Sequence, residues 1–278
     1  MTPPTPRARL LQLLDRDDAG VDLAEAALLV AGDEYPGLDP RPYLDRLDGF
    51  SDRVAARIRG GPDPVAAIAA LNAVLFEEER FGPNQKDYYD PRNSFLNEVL
   101  DRRMGIPITL SLLYIDVARR AGLSAAGVGL PGHFVAALLS PGRVHYIDAF
   151  DGGRLLTEEE CAEKVANVFG GKMALTPDHL RPIGPRAILV RLLTNLKNIY
   201  VESRSYAKAH AVIDKLAMLR PEAWTEVRDR GLVLYQMRRY RPALRDLESY
   251  LTHAPDASDR PDVAKLKDII ARRLNESA

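Results

Sequence analysis

The chain has 278 residues, 46% hydrophobic and 28% charged, with a net charge of −1 and a single cysteine. That length and balance suit one large globular domain or two modest ones with a sizeable core. The near-zero charge excludes a bulk electrostatic pull toward nucleic acid or membrane, and one cysteine excludes both an intrachain disulfide and a multi-cysteine zinc site.

Met1 to Pro6 lacks a charged segment followed by an apolar run, so no secretory signal is read there, and Ala26 to Ala31 is too short to span a bilayer. A cytoplasmic protein is the expectation. Helical spacing of apolar residues predicts helices over Arg7–Leu14, Leu23–Val30 (with Asp22 as N-cap) and Tyr43–Ile58, and another from Pro64 onward. Phe81 to Arg92 is rich in Gly, Pro, Asn, Asp and Tyr and reads as a loop. Asn93 and Ser94 then open a short helix ending near Arg103. After the break at Met104–Pro107, Ile108 to Ala121 is apolar over most of its surface and reads as a buried helix.

Beyond Gly122 the pattern changes to strands at Ala126–Leu130, Phe134–Leu139 and Val144–Ile147, with a turn at Pro141-Gly142. Leu156 to Phe169 returns to helix, with Thr157 and Glu160 spaced as a capping box. From Pro185 the chain is helical and repetitive. Tyr206 and Ala209 recur as Tyr240 and Ala243, and Pro221 recurs as Pro255, each 34 residues on. That is the tetratricopeptide period, in which each helical hairpin needs a neighbour to bury its apolar face. Lys197 and Arg230 stand where the pattern favours Gly and Leu, so the units are degenerate. Pro261 to Leu274 would cap the array.

The chemistry-bearing residues lie between Tyr88 and Gly153. His133 and Asp148 are 15 residues apart, and a hairpin turning near Pro141-Gly142 would bring them side by side. The order of elements is a buried helix, then a strand with His133, then a strand with Asp148. It resembles the transglutaminase-like branch of the papain-type fold. The resemblance implies a nucleophile at the N-terminus of the buried helix, where the helix dipole favours a thiolate, with the His as base and the Asp orienting it. Matching Gly105 and Gly122 to the glycines that flank the family's helix places Pro107 at the cysteine position. Proline suits the first turn of a helix but carries no nucleophile.

The phrases Asn93-Ser94-Phe95-Leu96, Arg102 through Ser111, Pro131-Gly132-His133-Phe134 and Asp148 through Gly153 resemble, more closely, the bacterial SirB-type proteins. In that family a transglutaminase-like core precedes C-terminal tetratricopeptide repeats. The resemblance spans roughly the whole chain and implies that fold with a regulatory or scaffolding role. The expected architecture is therefore α+β. Residues 1–184 would form a helical subdomain plus a transglutaminase-like core, and 185–278 an all-α repeat region.

Several residues carry competing readings. Ser111, one turn beyond Pro107, and Thr109 are alternative nucleophiles, although a hydroxyl on a buried helix commonly bonds to backbone. Asn93 and Ser94 either line a cleft or cap the following helix. Tyr88 and Tyr89 either line a peptide groove or pack on the core. Arg102 and Arg103 either bind an anion or complement a helix C-terminus. A metal at His133, His145 and Asp148 has weak support, and Cys161, after three glutamates, reads as an unreactive helix residue. The expectation is a non-enzymatic protein-binding or regulatory protein. Its degenerate cleft would be formed by His133, Asp148, Asn93, Ser94, Pro107, Tyr88 and Tyr89. It would bind a protein or peptide through cleft and repeats, with no cofactor, metal, nucleic acid or membrane. The alternative is a hydrolase or transferase using Ser111, Thr109 or water with His133 as base.

Overall fold

The computed structural model describes residues 5–58 and 63–276; the reading made on Met1 to Pro4 lies outside them. The chain divides into two compact units, up to Leu192 and from Leu193. That division falls within the helix Pro185–Glu202.

The first unit begins with four helices, α1 (Pro6–Leu14), α2 (Leu23–Ala31), α3 (Arg41–Arg57) and α4 (Pro64–Asn72). The Asp22 carboxylate caps α2 by accepting the Glu25 N–H at 2.8 Å. Helix α4 runs on into a π-helical turn at Ala73–Glu78, which periodicity alone does not announce. A two-residue strand, β1 (Gly82–Pro83), then pairs in parallel with β2 (Met104–Gly105). Between them lie a 3-10 turn at Pro91–Ser94 and α5 (Leu96–Arg102).

Helix α6 (Pro107–Arg120) is buried from Pro107 through Ala118, as its all-round hydrophobicity requires. Strands β3 (Ala125–Val128), β4 (Val135–Ser140), β5 (Arg143–Asp148), β6 (Arg154–Leu156) and β7 (Pro182–Ile183) form one antiparallel sheet in the order β6-β5-β4-β3-β7. Ser140 pairs with Arg143 around the two-residue turn Pro141-Gly142, with Gly142 at φ +73°. Strand β3 is one residue shorter than its apolar run suggested, β4 is the same length but begins one residue later, and β5 extends one residue further at each end. The edge strands β6 and β7 have too few residues to show alternation, and Leu156 ends β6 rather than opening a helix.

Helix α6 lies against β3 and β4. Alternate residues of the sheet (Val135, Ala137 and Tyr146, with Val128 and Leu156) form a cluster with Cys161 and Val165 of α7 (Glu158–Phe169). Thr157 and Glu160 close the expected capping box at the start of α7. Helix α8 (Pro185–Glu202) follows β7.

The second unit contains the end of α8, α9 (Tyr206–Leu219), α10 (Trp224–Gln236), α11 (Tyr240–His253) and α12 (Arg260–Glu276). The repeat positions Leu193, Leu196, Ala209, Ile213, Ala243 and Leu247 are buried. Gly231 is needed for close approach, since a Cβ there would lie 2.8 Å from Leu247 Cδ2. Lys197 finds Glu226 at 2.9 Å and Asp229 at 2.7 Å. Arg230 forks onto Asp246. The two departures from the repeat pattern are thus both ion-paired.

Candidate functional site

His133 sits at the end of a tight turn, Leu130 to His133, rather than on a strand as the sequence suggested; β4 begins two residues later. The turn is closed by the His133 N–H donating to Leu130 O at 3.1 Å. Gly132 has φ +70°, and a Cβ there would lie 2.5 Å from Val168 Cγ1, so only glycine fits. From α8, Arg191 Nη2 donates to Leu130 O at 3.0 Å and His133 O at 3.2 Å. The turn is therefore held at both ends.

The β4–β5 hairpin brings Asp148 to this turn. His133 Nε2 lies 3.0 Å from Asp148 Oδ2. Lys164 Nζ of α7 reaches the same oxygen at 2.8 Å, and Oδ1 accepts the Phe150 N–H at 3.0 Å. The carboxyl is 1% exposed. Burial pushes its pKa up, but the bonds from His133 and Lys164 outweigh that and hold it below the ordinary carboxylate range. An ionised carboxylate only accepts, so Nε2 of His133 carries the proton shared with it. Nδ1 has no hydrogen-bond partner among the described residues.

Pro107 occupies the first position of α6 and is buried. Neither candidate hydroxyl has the His133 ring as a partner among the described residues. Thr109 Oγ1 donates to Asn93 O at 2.8 Å and accepts the Ile106 N–H at 3.1 Å. Ser111 Oγ donates to Phe134 O at 3.3 Å. Both are backbone fasteners, and Ser111 ties α6 to the residue after His133. Cys161 is fully buried in the sheet–α7 cluster. Burial, then the charges of Asp148, Glu160 and Glu158, push its thiol up to about 11.

Asn93 and Ser94 do not cap α5, whose N-cap is Phe95. They are buried in the preceding turn. The Asn93 amide donates to Asp87 O at 2.7 Å and Tyr88 O at 3.2 Å, and its Oδ1 accepts from Asn84 Nδ2 at 2.9 Å. Asn93 thus shapes the 84–93 loop from beneath, and its carbonyl takes the Thr109 hydroxyl. As fully buried groups, Asn93, Ser94 and Pro107 support the site rather than line its surface. Arg102 turns inward, 3.4 Å from Asn93 Oδ1, and Arg103 pairs with Glu79 at 3.2 Å.

The loop that Asn93 shapes carries Tyr88 and Tyr89. Their rings meet edge to face at 5.3 Å. Tyr88 meets Phe150 likewise at 6.3 Å, and Phe150 meets His133 at 6.3 Å. The result is an aromatic ladder from Tyr89, which is 70% exposed, down to the histidine. Phe150, Lys164 and Arg191 complete the site without having been singled out in the sequence. Phe150 had the best signal, an aromatic two residues after Asp148. Lys164 looked like any lysine on an amphipathic helix. His145 is buried on β5, and no group of three or more metal-ligating side chains occurs among the described residues.

Residues 41–194 match the model of the transglutaminase-like superfamily, and residues 196–271 match a tetratricopeptide repeat. A UPF0162 protein of Xylella fastidiosa is 37% identical over 245 residues, covering 86% of each chain. One from Vibrio cholerae is 25% identical over 252 residues, covering 89% of this chain and 92% of its own. F-box only protein 21 of the mouse shares 42% identity over 102 residues, 34% of this chain and 16% of that protein. The core and the repeats that follow are thus similar to known proteins, and the chain belongs to the transglutaminase-like superfamily, within the UPF0162, SirB-type proteins that carry tetratricopeptide repeats.

Proposed function

We propose that this chain is a cytoplasmic, non-enzymatic protein-binding module with a regulatory role. The surface around His133 holds a peptide segment, and the repeats engage a second part of the same or another partner. The observation that carries the reading is a retained His133–Asp148 pair joined to a helix start at Pro107 that has no nucleophile. Against a hydroxyl nucleophile stands the commitment of Thr109 and Ser111 to backbone acceptors. Against a thiol stands the burial of Cys161. His133 Nδ1 and the aromatic ladder offer what peptide recognition needs, a polar anchor beside a rigid apolar wall. Tetratricopeptide repeats generally mediate protein–protein contacts, which fits a two-part engagement.

The test is affinity capture from the cell that makes the protein, with wild type and His133→Ala compared quantitatively. Loss of a specific partner from the His133→Ala sample is the expected result. An unchanged partner set would remove His133 from binding and sink the proposal.

A further inference from the structure

The surroundings of His133 have a composition that selects among peptides. On one side stand Phe150, Tyr88 and the exposed Tyr89. On the other, Val168 and Phe169 of α7 press against Gly132, and both keep exposed surface, 55% and 36%. Two apolar walls therefore flank the His133 turn.

Two cations reach the His133 turn and its partner Asp148. Asp148 is buried and shared by His133 and Lys164. Glu160, one turn before Lys164, is engaged by Arg154 and by the Thr157 N–H. Asp151 lies 3.8 Å from Arg154. Arg191 is exposed, donates only to the carbonyls of Leu130 and His133, and has no carboxylate partner among the described residues. Its guanidinium has five N–H donors in a fixed fork, so donors remain for a carboxylate. Lys164, 29% exposed, also has ammonium protons beyond the one given to Asp148.

Resting on the reading of the cleft as a peptide-recognition surface, we propose that it selects acidic segments. An Asp or Glu side chain would bind Arg191 and Lys164 near His133, with a neighbouring aromatic or proline residue against Tyr89, Tyr88 and Phe150. A basic segment would bring its cations onto Arg191 and Lys164, and the carboxylate between Lys164 and His133, Asp148, is already satisfied. Aromatic faces favour flat or pre-extended residues, which lose little entropy on docking.

The experiment displays a random nine-residue peptide library against the full chain, then measures an enriched synthetic peptide by fluorescence anisotropy. Enriched peptides should carry Asp or Glu within about three residues of an aromatic or proline. Arg191→Ala should weaken binding about tenfold and raised salt should weaken it further, as for a charge-assisted contact. Tyr89→Ala, at an exposed position that cannot unfold the core, should weaken it about fivefold. Arg191→Lys should recover part of the loss, which a variant that merely loosened the 130–133 turn would not predict. Enrichment of basic or neutral peptides whose binding still needs His133 would overturn the acidic preference and leave the recognition reading standing. Acidic peptides bound equally well by Arg191→Ala and Tyr89→Ala would also overturn it. Binding wholly indifferent to His133→Ala would overturn the recognition reading along with it.

Discussion

The two units treat charge in opposite ways. Around His133 one carboxylate, Asp148, is 1% exposed and serves three donors, so the side-chain bonds of His133 and Lys164 converge on a single group. In the repeats the ion pairs are distributed: Lys197 on Glu226 and Asp229, Arg228 on Asp229 and Asp259, Arg230 on Asp246 and Asp214. A concentrated network fixes one geometry and fails when its centre is removed. A distributed one tolerates loss, because each cation retains an alternative partner and solvent.

The largest effect should therefore come from Asp148→Ala. It strips Lys164, His133 and the Phe150 N–H of their shared acceptor and costs about 3 kcal/mol, by analogy with breaking a buried pair. Urea unfolding with an unchanged slope would measure it. Because the folded-state pKa of Asp148 is depressed, its stabilisation is present above the unfolded pKa near 4 and is lost as pH falls through the lower folded value. The gap between wild type and Asp148→Ala should accordingly be flat near neutrality and narrow below about pH 4. A gap that stays unchanged from neutrality through the whole acid range in which the protein folds would mean the cost is packing rather than charge.

The repeats should be most sensitive at their closest packing instead. Ala243→Leu places a large side chain where Ala243 is fully buried between helices and should cost about 2 kcal/mol through overpacking. Thermal or urea unfolding checks it. A loss below about 0.5 kcal/mol would mean that the small residue of the 34-residue period is not needed for helix approach.

What could be read in advance follows the same division. The repeats were legible because their signal is packing, and small Ala209 and Ala243 recur at a fixed period. Yet Arg204 and Arg238, also 34 apart, both adopt φ near +60°. Arginine gives no sign of that conformation, which usually calls for glycine or asparagine. His133 and Asp148 were legible from their spacing across a turn. Lys164 and Arg191 were not, because a lysine or arginine on a helix announces solvent until the loop it reaches has been placed. Asn93 misled for a related reason. An asparagine ahead of an apolar run has the chemistry of an N-cap, but here its amide serves the loop behind it rather than the helix ahead.

A second buried carboxylate sharpens the meaning of Asp148. Asp116 on α6 pairs with Arg120 at 2.6 Å and accepts the Ala24 N–H at 3.2 Å. Burial outweighs Arg120 there and raises its pKa to about 6. The sign is the reverse of Asp148. The stabilisation from Asp116 is complete below about pH 4 and is lost as pH rises through about 6. Wild type should lose about 1 kcal/mol relative to Asp116→Asn between pH 5 and pH 7. Paired urea titrations at the two pH values would show it, and parallel curves would mean that Arg120 holds Asp116 ionised throughout.

The smallest effect should come from the repeats' own ion pairs. Arg230 grips Asp246 with Nε at 2.7 Å and Nη2 at 2.9 Å, and Nη1 lies 3.3 Å from Asp214. Arg230→Lys keeps the charge between two carboxylates but loses the fork, so the cost should be about 0.5 kcal/mol. Molar salt should erase most of it, because the pair is partly exposed and screened. A salt-insensitive loss above about 2 kcal/mol would instead give Arg230 the same central role that Asp148 has at the His133 turn. The contrast between distributed and concentrated charge would then fail at its best-paired repeat position.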